Sequence, residues 1–273
     1  MSPIHRELAH AKLTRSLRVV GRRDDGMHLL EAEMVSIGLS DELEFTPSTR
    51  AAIEVVDVSG VVGVPDLAGG VPSDETNLVL RALRLVERSA AVRLRKRIPA
   101  GAGLGGGSAD AAAALRFAGC FDVVLAATLG ADVPFCLVGG RAAVSGIGEV
   151  IRPLPQLDLT FVVLSPPLSV STPAVYRAFD ARSGSGGTAP IGENGNDLED
   201  AALTVEPGLV AYRDLFGGVA GVRPVLAGSG ASWFVECDPH EADALGREVE
   251  TAFRSSGAPV RVNVCSTASP TGS

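Results

Sequence analysis

The chain has 273 residues, 46% of them apolar and only 4% aromatic, with a formal charge of −8. This excludes a wholly disordered chain and predicts one large or two smaller domains with a core of Val, Leu, Ala and Ile. A net-acidic chain without a basic block is also a poor nucleic-acid binder, so any anionic ligand must be held by a local site.

Met1 to Ser16 is charged and lacks an apolar h-region, so no signal peptide is expected. Leu13 to Val20 alternates roughly with period two, and the turn residues Gly21 to Gly26 follow. That pattern predicts a hairpin whose second strand runs from Met27 to Ile37, with separate strands at Glu42–Phe45 and Ile53–Val58. Gly60 to Ser73 reads as a loop, and Ser73-Asp74 as the cap of a helix from Glu75 to Ser89. Val92 and Leu94 mark a half-exposed strand ending at Pro99. A glycine-rich loop over 101–107 comes next, then a helix opening at Ser108 and a short one at Val123–Leu129. Strand and turn signals at Arg141–Ser145 and Gly148–Ile151 lead to Pro153 and Pro155, which divide the chain into 1–153 and 154–273.

The second part predicts a buried strand at Leu159–Leu164, a helix at Pro173–Ala181 and a mobile loop over Arg182–Asn196. Helices at Leu198–Leu203 and Gly208–Phe216, strands at Pro224–Leu226 and Trp233–Glu236, a helix at Glu241–Ser255 and a strand at Val260–Val264 follow. Ser266 to Ser273 has no pattern and should fray. Strands and helices mixed in two halves predict an α+β fold. Leu159 to Tyr176 is uncharged, but Pro166, Pro167 and Pro173 argue against a membrane helix. Cys120, Cys136, Cys237 and Cys265 lack metal-ligand spacing and read as reduced cytoplasmic thiols. Positive charge comes from arginine except at Lys12 and Lys96.

The strongest chemical signal is Pro99-Ala100-Gly101-Ala102-Gly103-Leu104-Gly105-Gly106-Gly107-Ser108-Ala109, running straight into a helix. Glycines let backbone amides approach an anion, and the helix N-terminus adds free N–H groups. Gly101, Gly103 and Gly106 satisfy a dinucleotide-binding pattern, but Arg93 and Arg95 give the preceding strand a wet face, and Ala126 stands where an acidic residue is needed. No Lys-Ser or Lys-Thr follows, which excludes a Walker A loop. Asp132, among apolar neighbours, is a candidate base or equally a helix cap. Lys12 on its own reads as a solvated strand lysine, and Gly228-Ser229-Gly230 as a tight turn.

In combination these segments resemble the GHMP small-molecule kinases. The order is Ala11-Lys12-Leu13, Gly21-Arg22-Arg23-Asp24-Asp25-Gly26-Met27-His28, the Pro99–Ala109 loop, Leu129-Gly130-Ala131-Asp132-Val133-Pro134-Phe135, then Gly228-Ser229-Gly230-Ala231. The second and fourth segments point to the branch that phosphorylates a cytidine diphosphate alcohol for isoprenoid synthesis. The resemblance implies a ribosomal-S5-like N-terminal domain, a ferredoxin-like C-terminal domain and an active site between them. It further implies a cytoplasmic enzyme, monomeric or homodimeric, using ATP and Mg2+. Lys12 and Asp132 would be the catalytic pair, and Pro99 to Ala109 would hold the phosphates with Asn77 near the nucleotide. Ser108 and Asp110 would bear on the metal. Thr14, Met27, His28, Thr172 and Tyr176 would face the alcohol substrate, with Tyr176 and Met27 on opposite faces of the base. The chain departs from the family pattern at His10 (usually Pro), Thr14 (Asn), Met27 (Tyr) and in a shortened segment from Ala113 to Thr128.

Overall fold

The computed structural model describes residues 4–58, 70–183 and 195–270. Most of the expected loop at 60–73, and 184–194 of the loop expected to be mobile, lie outside the described residues.

The first sheet is built from two long strands, β1 (His5–Arg22) and β2 (His28–Pro47), joined by the expected hairpin turn. Gly26 takes a φ of 88° there, and the Met27 amide donates to Asp25 Oδ1. The two strands read separately at Met27–Ile37 and Glu42–Phe45 are one. The break signalled by Gly38 to Asp41 is a bulge, where Ala11 faces Ile37, Gly38 and Leu39 between the pairs His10–Ser40 and Lys12–Ser36. β3 (Ala52–Asp57), β4 (Ala90–Lys96), β5 (Arg141–Gly146) and β6 (Val150–Pro153) complete the sheet in the order β3-β4-β2-β5-β6, with β1 on the free side of β2.

Helices α1 (Leu78–Leu85), α2 (Gly106–Phe117), α3 (Val123–Ala127) and α4 (Val133–Val138) belong to this part of the chain. α1 starts later than Ser73-Asp74 suggests. Asp74 Oδ1 instead takes the Thr76 amide and hydroxyl, while Asn77 caps the helix by accepting from the Val79 amide at 2.8 Å. α2 starts two residues before Ser108, with Gly105 as its left-handed N-cap. The alanine run makes α2 thin enough to be buried almost all round, against Leu43, Phe45, Leu83 and Leu94. α3 has five residues, in keeping with the shortened segment.

The second sheet follows from β7 (Thr160–Ser165), α5 (Thr172–Ser183), α6 (Glu199–Val205), α7 (Leu209–Ala220), β8 (Val225–Leu226), β9 (Trp233–Cys237), α8 (Pro239–Ser256) and β10 (Arg261–Ser266). Its order β10-β7-β9-β8, all antiparallel, is the ferredoxin-like arrangement. β7 is buried throughout and apolar from Phe161 to Leu164 because both its faces are covered. Val162 and Leu164 face helices with Trp233 and Phe253, while Phe161 and Val163 meet Leu13, Val35 and Ile37 of the first sheet. The expected fraying of Ser266–Ser273 is corrected for 266–270. Ala268 donates to Ser36 O at 2.8 Å, Thr267 bridges to Ile37 and Pro270 to Gly139, so the tail fills the bulge in β2.

Beneath the glycine loop, Lys96 donates to Asp41 and, at 2.8 Å, to Asp110 Oδ2. All three side chains are buried. Asp41 Oδ1 also accepts the amides of Arg97 at 2.5 Å and Ile98 at 2.9 Å, which fixes the exit of β4 into the loop. Burial, reinforced by the charge of Asp41, pushes Asp110 up to about 7 against the pull of Lys96. Burial disfavours the charge on Lys96, but the two carboxylates hold it above the ordinary lysine value. Replacing Lys96 by Met leaves these carboxylates without their cation and should cost about 3–5 kcal/mol of stability. Urea unfolding measures this, and a loss below about 1 kcal/mol, the range of an ordinary surface change, would show that the cluster does not hold the loop.

Candidate active site

The alternation of β1 opposite the bulge in β2 decides where Lys12 points. Ala11 and Leu13 enter the core between the sheets, so Lys12 and Thr14, two residues apart, share the opposite face. Both are buried, and Lys12 Nζ donates to Thr14 Oγ1 at 3.1 Å. Its other partner is Asp132 Oδ2 at 3.4 Å. The Lys12 side chain is 5% exposed and that of Asp132 32%, so the carboxylate stands at the cleft with the ammonium behind it. Asp132 is at the N-cap position of α4, yet makes no capping hydrogen bond. His10, where the family pattern has Pro, bonds through Nδ1 to Ile37 O at 3.1 Å, bridging the bulge.

The glycine loop is packed as bare backbone. Leu104 O accepts the Lys12 amide and Ala102 O the Ser232 amide, both at 3.0 Å, which ties the loop to β1 and to the turn before β9. A Cβ on Gly103 would fall 2.1 Å from Ala227 O, and one on Gly105 2.9 Å from Lys12 Cγ. Both have left-handed φ, 77° and 69°. Gly106 differs: its close neighbour is Ile98 Cγ2, 3.0 Å from a Cβ, so it serves packing against the end of β4.

Two cavities meet at this loop. One of about 370 Å³ is lined by residues 99–103 and 105–108 with Asn77, Lys96 and Asp110. The other, about 620 Å³, is lined by Lys12, Thr14, Asp132, Met27, His28, Thr172 and Tyr176. Gly101, Gly103, Gly105 and Ser108 border both. Asn77 lines the first cavity, but its amide is committed to Val79 N and Pro72 O. Thr14 lines the second with its hydroxyl committed to Lys12.

The far end of the larger cleft is set by α5. Thr172, Tyr176 and Asp180 fall four residues apart and share a helix face, while Val175 and Phe179 pack inward. Thr172 Oγ1 bonds Ser229 Oγ at 2.8 Å. Tyr176 stacks on His28 with ring centroids 4.7 Å apart, and burial with the charge of Asp132 pushes its phenol up, so it stays neutral. One face of Tyr176 is therefore covered by the imidazole. Met27 is 48% exposed at the cleft. Burial also pushes the Cys136 thiol up, which removes it as a nucleophile beside Lys12.

The structure thus brings Lys12, Asp132, the loop and the five expected substrate residues around two adjoining cavities. Sequence reasoning missed Asp180, which bonds His28 Nε2 at 2.7 Å, and Ser229 as partner of Thr172. The four-residue spacing from Tyr176 was the available signal for Asp180. Asn196, expected as the end of the mobile loop, is instead buried and fixed: its amide donates to Leu226 O and Gly228 O and holds the turn against which Gly103 packs.

Residues 77–140 match the GHMP kinases N terminal domain. A 4-diphosphocytidyl-2-C-methyl-D-erythritol kinase of Paramagnetospirillum magneticum is 38% identical, the match covering 83% of this chain and 86% of the relative. The protein of the same name from Ruegeria pomeroyi is 35% identical, with 88% and 92% covered. A crystal structure of 4-(cytidine 5'-diphospho)-2C-methyl-D-erythritol kinase superposes with a TM-score of 0.71 at 29% identity, over 97% of this chain and all of that one. A homoserine kinase of Cytophaga hutchinsonii, at 15% identity and a TM-score of 0.59, shares the fold. With its glycine loop, Lys12–Asp132 pair and two sheets in this arrangement, the chain belongs to the 4-diphosphocytidyl-2-C-methyl-D-erythritol kinase family of the GHMP kinases.

Proposed function

We propose that this chain transfers the γ-phosphoryl group of ATP to the 2-hydroxyl of 4-diphosphocytidyl-2-C-methyl-D-erythritol, in non-mevalonate isoprenoid precursor synthesis. The observation that carries this reading is the shared wall. A loop of bare amides separates a nucleotide-sized cavity from a larger cleft, and the Lys12–Asp132 pair stands on the cleft side. A phosphate held on that loop is within reach of an alcohol in the cleft. The two domains would be 1–153 and 154–273, a division supported by the sheets falling on either side of Pro153. Among the described residues no helix is long and apolar enough to cross a membrane, and the proposal includes a cytoplasmic location.

Phosphoryl transfer needs alignment, charge neutralisation and an acceptor for the hydroxyl proton. In this reading the loop amides and the N-terminus of α2 bind the phosphates. Asp132 accepts the proton from the substrate hydroxyl, and Lys12 stabilises the alkoxide as charge develops there. Thr14 holds the ammonium in line. The donor set fits Mg2+, which prefers oxygen ligands, retains water and takes few protein carboxylates. Ser108 borders both cavities, and the buried Oδ1 of Asp110, a lining residue of the nucleotide cavity, has no hydrogen-bond partner among the described residues. These two side chains would hold the ion directly or through water. When bound, Mg2+ offsets the phosphate charge and orients the transferred group.

ATP-dependent phosphorylation assayed on a panel of alcohols tests the assignment, and turnover restricted to homoserine or mevalonate would overturn it. Asp132→Asn should leave ATP affinity nearly unchanged and lower kcat by roughly 10² or more. Near-normal turnover would remove Asp132 from proton transfer.

Gly105→Ala should raise the Kd for ATP about tenfold or more, since the new methyl group meets Lys12 at a left-handed φ. Calorimetry on the folded variant decides, and unchanged affinity would refute the phosphate-cradle role.

Met27→Tyr should tighten the cytidine substrate by about 0.5–1.5 kcal/mol, the added value of an aromatic pair, without altering ATP binding. No response in apparent affinity would mean that the base does not reach Met27.

A further inference from the structure

Asp180 is not part of the expected site, yet it organises one end of the larger cleft. Its Oδ1 lies 2.7 Å from His28 Nε2 and its Oδ2 3.4 Å from an Arg22 guanidinium nitrogen. All three residues line the cleft, and the imidazole is held from the side by Tyr176 at 4.7 Å and edge-on by Phe179 at 6.2 Å. A flip of the ring would lose the carboxylate, and a swing would lose the stack as well.

A carboxylate only accepts, so the nitrogen facing it must carry a proton. In the neutral ring that proton sits on Nε2, and Nδ1 is left with a lone pair. Nδ1 has no hydrogen-bond partner among the described residues, and the ring borders the cleft. With the neutral ring the cleft is therefore offered an acceptor in a fixed place, not a donor. Cytosine presents an exocyclic amino donor where uracil presents a carbonyl acceptor. We propose that Asp180 is a positioning residue for base specificity. By holding His28 as the Nε2–H tautomer, it makes Nδ1 accept from the amino group of cytosine and repel the carbonyl of uracil. Its position on α5 couples this choice to the second sheet, while His28 comes from the first. The inference rests on the proposed cytidine substrate and names what selects its base.

CDP and UDP serve as binding probes for the parent and for Asp180→Ala, measured by calorimetry at about pH 8.5, where an imidazole is ordinarily neutral. The parent should favour CDP, and Asp180→Ala should lower the CDP-to-UDP affinity ratio about tenfold, the worth of one buried hydrogen bond turned from matched to mismatched. ATP affinity should not change, and kcat with the cytidine substrate should change far less than KM. Nitrogen NMR of the imidazole supplies a second reading, with Nε2–H dominant in the parent and a mixture of tautomers in the variant. Equal weakening of CDP and UDP would mean that Asp180 only braces α5, which overturns the proposal. So would an Nδ1–H or doubly protonated ring in the parent. A parent that binds neither probe would overturn the assignment of the cleft itself, whereas a parent selective for CDP with an unaltered ratio in Asp180→Ala overturns only the role of Asp180.

Discussion

The site depends on a loop that has no room for a side chain at Gly103 or Gly105. Gly103 is wedged against the carbonyls of Ala227 and Gly230, and Gly105 against the aliphatic stem of Lys12. These contacts join three otherwise separate elements: the first strand, the loop that opens α2, and the turn leading into β9. Because each contact is backbone or side chain against bare backbone, positions are fixed by close packing, which tolerates little displacement. Amides that would otherwise be free to move are held toward a cavity, and the cation needed beyond the loop is held by the same contact. Glycine here does more than relieve strain: it sets the distance between the nucleotide cavity and the Lys12–Asp132 pair.

The two lysines of the chain show how burial divides labour between similar charges. Lys96 is enclosed with two carboxylates and directs the end of β4, so its charge is spent inside the protein. Lys12 has a single carboxylate at 3.4 Å, and that carboxylate is one-third exposed to the cleft. A compact ammonium with one counter-charge among the described residues retains attraction for a further anion, and the partly exposed carboxylate retains access to a proton. In an arginine-rich chain, both sites use the smaller cation where a guanidinium fork would not fit beneath a loop of glycines.

Much of this was legible from residue order. The glycine run followed by an alanine-rich helix, the hairpin turn at Asp25-Gly26 and the doubly apolar β7 each have a local physical cause that sequence displays. What was not legible depended on partners distant in the chain. The bulge opposite Ala11 looked like a break because Gly38 to Asp41 carries loop-like residues, and the missing hydrogen bonds come from the returning segment at 266–270 and from His10. The patternless C-terminus has no apolar period because it is held by polar contacts, backbone bonds to Ser36 and the hydroxyl of Thr267 on Leu157 O. Asp180 was invisible for the opposite reason: its helix spacing is plain, but its meaning comes from a histidine 152 residues away.

The division of roles between the two sheets has a consequence for how recognition and chemistry are linked. Lys12, Asp132 and the phosphate loop belong to the first sheet and its helices, whereas Thr172, Tyr176 and Asp180 are carried by α5 of the second. His28 is the exception, a first-sheet residue clasped by a second-sheet carboxylate and ring. The sheets are themselves joined by a continuous apolar cluster and by Arg15, which reaches both Glu33 and Glu236. A ligand bound against α5 is thereby referred to the same rigid frame that carries Lys12 and Asp132. In the proposed function this fixed frame would make a ruler of the separation between the His28–Tyr176 stack and the Lys12–Asp132 pair. An alcohol would be positioned for transfer only when its other end is long enough and of the right chemistry to reach the stack.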